Sequence, residues 1–301
     1  MSPASPWRRA ESAAGHPGLT DALGGLEGSA LASLLLEVAA RQAARRNPAE
    51  ILRQAATDPF TAPCDLDQRR LLALDAAVAA ALPAAFDAVE LSPLCPLGTV
   101  SQLAVAHQNK VLATSRQTEV LADPTNAMAL LVAARRAKGQ AVVRLCTTAR
   151  VVRTPRVEKA GFTQHFRLWA FVTGGRDTGG RAFEQSALRE HLGLHQTVLQ
   201  TLRAAGLPIP EATAQVAAGE GHQGWVAAAL GGDAPIGALQ GSYYQGVRMN
   251  LLLPLGDQRL PISDGGLVDW VAKLRSDRKE RLFISAIGTE LLVRLYRPET
   301  G

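Results

Sequence analysis

Between Arg135 and Arg181 the chain carries eleven basic side chains (Arg135, Arg136, Lys138, Arg144, Arg150, Arg153, Arg156, Lys159, Arg167, Arg176 and Arg181) against two acids, Glu158 and Asp177. Positive charge focused on one stretch is what docks an anion such as a nucleotide phosphate or an RNA backbone. The local balance of +9 leaves −4 for the remainder of a chain whose total is +5, a contrast larger than a uniform Arg-rich bias gives. The competing reading is a solvated face of an Arg-rich protein. His191 and His195 have the spacing of two metal ligands on one helix face, yet no third ligand lies near them in sequence, so no structural metal is expected. The run from Gly174 to Gly180 offers backbone N–H groups to a phosphate, although a turn closing a strand is the simpler use of such a run. The patterns GxxxxGK(S/T), GxSxG and HExxH are absent from the sequence, which removes the P-loop, hydrolase-elbow and zinc-protease readings.

These residues need a scaffold, and 301 residues with 47% hydrophobic content are enough to bury a substantial core. Aromatics make up only 5%, so the apolar content is Ala, Leu and Val, which suits helices packed on a sheet. Residues 1–27 are rich in Gly, Pro, Ser and Ala without periodicity and read as a mobile arm; 28–301 read as a single domain. A helical lead-in follows. Leu31, Leu34, Leu35 and Val38 share a face, Asn47 caps a second helix with Pro48 at its first position, and a longer helix runs from Asp67 to Phe86 with Pro83 ending or kinking it. Short strand-like runs come next (VELSPLC, KVLAT, TEVLAD), then a helix opened by Asp123, Pro124 and Thr125. AVVRLCTTARVV and TQHFRLWAFVTGG form a hairpin across a basic, Gly-containing loop. Phe183 to Ala205 is an amphipathic helix, and a helical stretch surrounds Trp225. Strand segments YYQGVRMNLLLPL and QRLPIS, a helix GLVDWVAKL, a strand RLFISAIG and a helix TELLVRLY complete the chain. Strands in adjacent groups with helices clustered at the start and middle predict an α+β fold on a mostly antiparallel sheet.

Cys64, Cys95 and Cys146 are odd in number and widely spaced, which predicts reduced thiols rather than a disulfide framework. No apolar segment follows the charged start, and the longest apolar run, near Leu71 to Phe86, is interrupted by Asp75 and Pro83, so a cytoplasmic protein without membrane contact is expected.

The order of these elements, with several short signatures, resembles the catalytic domain of class II aminoacyl-tRNA synthetases, in particular the histidyl-tRNA synthetase branch. The helix from Asp67 followed by FDAVELSP, with Pro93, is similar to the family's first motif, which implies a homodimer. ARVVRTPRVEKAGFTQHFRLWAFVTGG resembles the second motif, with Arg150 placed to hold an α-phosphate and Phe166 on the returning strand. Tyr243 and Tyr244, then Asp264, Gly265, Gly266 and Leu267, stand in the order of the branch's paired tyrosines and DGL run. SAIGTELL resembles the third motif through Gly288 and Glu290. The resemblance covers roughly residues 67 to 296.

It implies nucleotide contacts from Arg150, Arg153, Phe166, Glu290 and Arg294, and an amino-acid pocket at Glu119, Thr125, Tyr243 and Tyr244, with ATP and Mg2+ as the corresponding ligands. The chain departs from the pattern where Val152 replaces an acid, where Leu291 replaces the γ-phosphate Arg, and where Leu239 falls near an expected catalytic Arg. Nothing resembles an anticodon-binding domain. Because an adenylation site needs fixed cations opposite the triphosphate, the resemblance implies a divergent paralogue. Such a protein would bind a nucleotide, an aminoacyl-adenylate-like molecule or RNA as an accessory or regulatory protein without charging tRNA. The alternative is an ATP-dependent amino-acid ligase with a non-tRNA or truncated acceptor. No catalytic residue is assigned by the sequence.

Overall fold

The computed structural model describes residues 5–104, 106–159, 161–232 and 235–296. The first five elements are helices: α1 (Pro6–Ala14), α2 (Leu19–Gly24), α3 (Gly28–Ala44), α4 (Pro48–Thr57) and α5 (Gln68–Ala81). Two of them thus lie within the segment that carries no periodicity. Asn47 and Glu50 form a reciprocal capping box at α4, and Asp67 caps α5 through the Arg69 amide. The predicted apolar face of α3 finds no core: Leu34, Leu35 and Val38 are exposed and the helix has no buried residue. Helix α5 ends before Pro83 and buries Leu71, Leu74 and Val78.

After β1 (Asp87–Ala88), strands β2 (Leu94–Pro96) and β3 (Thr118–Val120) pair in a small sheet of their own. The KVLAT segment is not a strand and contributes only a bridge from Ala113 to Glu119. Helix α6 (Pro124–Ala137) leads to the long hairpin of β4 (Val143–Val152) and β5 (His165–Arg176), then to α7 (Ala182–Ala204). The rest is β6 (Thr213–Ala218), α8 (Gln223–Leu230), β7 (Ile236–Ala238), β8 (Val247–Leu255), β9 (Gln258–Pro261), β10 (Ser263–Val268), α9 (Trp270–Arg275), β11 (Glu280–Ile287) and α10 (Thr289–Leu295). Gly266, Leu267 and Val268 belong to β10 rather than to a helix, because they pair with Ile284, Phe283 and Leu282 of β11.

Among the described residues the main sheet has nine strands in the order β1-β4-β5-β11-β10-β8-β6-β7, with β9 on β8, and only the outer pairs β1/β4 and β6/β7 are parallel. The two-residue period of a strand sorts the side chains onto opposite faces. Cys146, Trp169, Phe171 and Ile287 pack with α5, α7 and α10. Leu145, Val151, Leu168, Ala170, Val172, Leu282 and Ile284 pack with Met128 and Val132 of α6 and Trp270 of α9. Among the described residues no helix is long and apolar enough to cross a membrane.

Candidate functional site

Arg150 and Arg153 are both on the β4 side of the hairpin, yet an odd number of residues apart, so strand parity sends their side chains to opposite faces of the sheet. Arg150 lies on the face of α5 and α10. There its Nη2 donates to Glu290 Oε2 at 2.7 Å and its Nη1 donates to His165 Nδ1 at 2.9 Å. His165 in turn donates from Nε2 to the Ala62 carbonyl at 2.7 Å, which fixes the tautomer. Glu290 is completely buried and also accepts from Arg294 Nη2 at 2.9 Å, the Arg167 amide at 3.1 Å and the Cys64 thiol at 3.4 Å. Arg294 is paired a second time, with Asp65. Burial pushes the Glu290 carboxyl up, but the hydrogen bond from Arg294 and the nearby Arg150 charge outweigh it and hold the group below the usual Glu value. Arg150, Glu290 and Arg294 therefore form one ion cluster, the carboxylate standing where the two guanidiniums converge, with the Arg150 side chain 31% exposed.

Arg153 enters the other face. Its Nε donates to the Ala122 carbonyl at 3.1 Å, its Nη2 lies 3.8 Å from Asp123 Oδ2, and its guanidinium sits over the Phe166 ring, 5.2 Å from the centroid. Asp123 is held by α6, whose first turn it caps: Oδ1 accepts from the Thr125 amide at 3.0 Å and the Thr125 hydroxyl at 2.8 Å. Thr125 is thus a buried positioning residue. The chain before β8 brings Tyr243 and Tyr244 edge to face at 4.7 Å, with Tyr243 against Trp270 at 5.9 Å. Burial pushes the phenol of Tyr243 up, and the charges of Asp123 and Asp264 push it further; burial and then Asp264 do the same for Tyr244. Both remain protonated donors near neutral pH. Asp264 accepts from Arg248 Nε at 2.8 Å and Asn250 Nδ2 at 3.2 Å.

Arg153, Phe166, Tyr243 and Tyr244 thus meet around Asp123, while Arg150, Glu290 and Arg294 lie behind the sheet. Glu119 joins neither. It is fully buried, and its oxygens accept from the amides of Gly98 at 3.1 Å and Val100 at 2.8 Å and from Gln108 Nε2 at 2.8 Å, so it ties down the 98–108 loop. Leu291 occupies the third-motif position and packs toward the hairpin loop, where a Cβ on Gly161 would stand 2.9 Å from its Cδ1. Asp123, Arg248, Asp264 and Trp270 are the members that sequence reading did not assign to a site. Parity along β4 was the available signal for separating Arg153 from Arg150.

The aromatic cluster is half open: Tyr243 is 38% exposed and the side chains of Arg153 and Asp264 are 46% and 47% exposed. Its charges cancel, two guanidiniums (Arg153, Arg248) against two carboxylates (Asp123, Asp264). The basic stretch is similarly compensated across the fold. Arg136 pairs with Glu280 at 2.8 Å, Arg144 with Glu190 at 2.5 Å, Arg167 with Asp75 at 2.5 Å, Arg176 with Asp277 at 2.7 Å and Arg181 with Glu184 at 3.3 Å; Arg135 pairs with Asp87. His191 and His195 are buried on α7 and share Ser285 Oγ at 2.7 and 2.9 Å. Among the described residues no group of three His, Cys, Asp or Glu side chains is placed to hold a metal.

No protein-family model and no curated protein sequence matches the chain. Solved structures do. An ATP phosphoribosyltransferase regulatory subunit/histidyl-tRNA synthetase from Bacillus halodurans aligns with a TM-score of 0.57 at 12% identity, over 80% of this chain and 83% of that one. Apo histidyl-tRNA synthetase from S. aureus aligns with a TM-score of 0.57 at 12% identity, over 78% of this chain and 68% of that one. At such identity the likeness is one of fold, and it agrees with the antiparallel sheet, the hairpin and the flanking helices described above. The chain has a class II aminoacyl-tRNA synthetase catalytic fold of the kind found in histidyl-tRNA synthetase.

Proposed function

We propose that this protein is a divergent synthetase-like accessory or regulatory protein of the cytoplasm that binds an amino acid or an aminoacyl-adenylate-like molecule without charging tRNA. The observation that carries the reading is the zero net charge of the aromatic cluster. Asp123 and Asp264 are acceptors for an ammonium group, Arg153 is a donor for a carboxylate or single phosphate, and Tyr243 and Tyr244 offer aromatic surface to a flat ring. The residues present do not fit the triphosphate of ATP with Mg2+. Arg150 and Arg294 are committed to Glu290 on the other face, and Leu291 leaves phosphate charge unmatched, a placement that costs free energy rather than releasing it. The ligand-binding work falls to Arg153 for the anion, the two carboxylates for the cation and the two phenols as donors.

Titration of ATP and AMP tests this reading. The expected affinities lie within about tenfold of each other, about 1.4 kcal/mol. An ATP affinity more than about tenfold above that of AMP would restore the ligase reading, and RNA binding that outcompetes both nucleotides would move the site elsewhere.

A further inference from the structure

At the end of the sheet where β5 runs into α7 and β10 runs into α9 there is a cavity of about 620 Å3 whose lining includes none of Arg153, Phe166, Tyr243 and Tyr244. Glu184, in the first turn of α7, lines it and is 1% exposed. Its Oε1 accepts from Arg181 Nη1 at 3.3 Å and Arg281 Nε at 3.1 Å, but its Oε2 has no hydrogen-bond partner among the described residues. A buried carboxylate oxygen left without a donor costs free energy unless something supplies one. On the same wall, Trp225 Nε1 donates to His222 Nδ1 at 3.1 Å. That bond places the imidazole hydrogen on Nε2, which has no partner among the described residues. Gly246 makes room for this ring: with φ at +88°, a Cβ there would stand 2.3 Å from His222 Cε1. Arg278, on the rim, is exposed and makes no ion pair among the described residues. Among the described residues, two of the three non-glycine residues in left-handed conformation, Arg181 (φ 59°) and Ser276 (φ 51°), also border the cavity. Strain of this kind gathers where a site holds its walls in place.

We propose that this cavity is a second ligand site that takes an acidic or phosphorylated α-amino acid. The ammonium group supplies the donor that Glu184 Oε2 lacks, and the carboxylate or phosphate accepts from His222 Nε2–H and Arg278. The lining carries Arg181, Lys273, Arg278 and Arg281 against Glu184, Asp269 and Glu280, a net +1 that matches a zwitterion with one extra negative charge. The assignment does not depend on what occupies the aromatic cluster.

The test labels the full chain with 5-fluorotryptophan and follows the Trp225 and Trp270 resonances by 19F NMR. Trp225 touches the lining residue His222, whereas Trp270 follows the lining residue Asp269 and packs on Tyr243 of the aromatic cluster, so a shift larger at Trp225 than at Trp270 reports this cavity. The probes are L-glutamate, O-phospho-L-serine, 2-oxoglutarate, which lacks the ammonium, and L-lysine, which lacks the extra anion. A saturable Trp225 shift is expected with L-glutamate or O-phospho-L-serine, with 2-oxoglutarate and L-lysine weaker by at least about tenfold, about 1.4 kcal/mol. Arg278→Ala, an exposed change that leaves the fold intact, is expected to weaken binding by about tenfold or more. Glu184→Gln is expected to erase the preference for L-glutamate over 2-oxoglutarate. The proposal is overturned by no saturable Trp225 shift with either zwitterion up to about 10 mM, by a shift confined to Trp270, or by unchanged affinity in Arg278→Ala.

Discussion

At the scale of single residues, two arginines three positions apart on the same hairpin have opposite duties, and substitution separates them. Arg150→Ala removes a charged partner from the fully buried Glu290 and is expected to cost about 1.5–3 kcal/mol of stability in urea unfolding while leaving AMP affinity unchanged. Arg153→Ala is expected to do the reverse, lowering AMP affinity by about 1.5–3 kcal/mol with little effect on the unfolding midpoint. Swapped outcomes would put the site on the α5 face. Glu290 adds a pH signature. Its carboxyl lies lower in the folded chain than the ordinary 4.5, so its contribution is present above that value and lost as pH falls through the lower folded one. Glu290→Gln is expected to flatten that acid limb of the stability curve.

At the scale of elements, α7 carries a second titration of opposite chemistry. Burial pushes His191 well down from 6.5, helped by the charges of His195 and Arg144, and burial pushes His195 down to about 3. Both rings stay neutral when folded and take protons when unfolded, so stability present above 6.5 is lost as pH falls below it. The expected slope is about 1.4 kcal/mol per pH unit for each ring. Urea unfolding between pH 7 and 5 measures it, and a flat profile would mean the folded rings are already protonated. On β10, a Cβ at Gly266 would meet Val247 O at 2.3 Å and Tyr244 Cδ1 at 2.6 Å. Gly266→Ala is accordingly expected to cost about 1–3 kcal/mol and to displace Tyr244, read as a changed near-ultraviolet circular dichroism spectrum. The β4/β5 hairpin, α5, α6 and α7 were legible in the sequence because each carries its own period and its own cap or breaker. Strands β6 and β7 were not, since TAQVAA and IGA are short, Ala- and Gly-rich runs that become strands only by pairing at the sheet's far edge. Gly266 to Val268 read as helix because their apolar run has no period, and tertiary pairing decided. Motif order singled out the tyrosine pair and the Arg153/Phe166 corner as members of separate groups, whereas their meeting around Asp123 needed the fold to bring three segments together.

At the scale of the whole molecule, the +9 stretch does not become a cationic face, because acids from distant segments reach it through the fold. A groove of about 850 Å3 between α5 and the 88–93 segment has an apolar wall of Leu72, Ala76, Ala79, Val89 and Leu91, with Leu72 49% exposed, and a charged floor that includes Asp75, Arg150 and Arg167. The exposed apolar wall favours cover by a second copy. We expect a homodimer by light scattering at micromolar concentration and a shift to monomer in Leu72→Glu; a monomeric wild type would count against that assembly. The central claim is that the fold binds without activating, since its aromatic site is charge-neutral and its remaining motif arginines are paired with Glu290. ATP–pyrophosphate exchange with each of the twenty amino acids tests this most directly. The account predicts no exchange above background with any of them, and exchange with even one, abolished by Arg153→Ala, would contradict it.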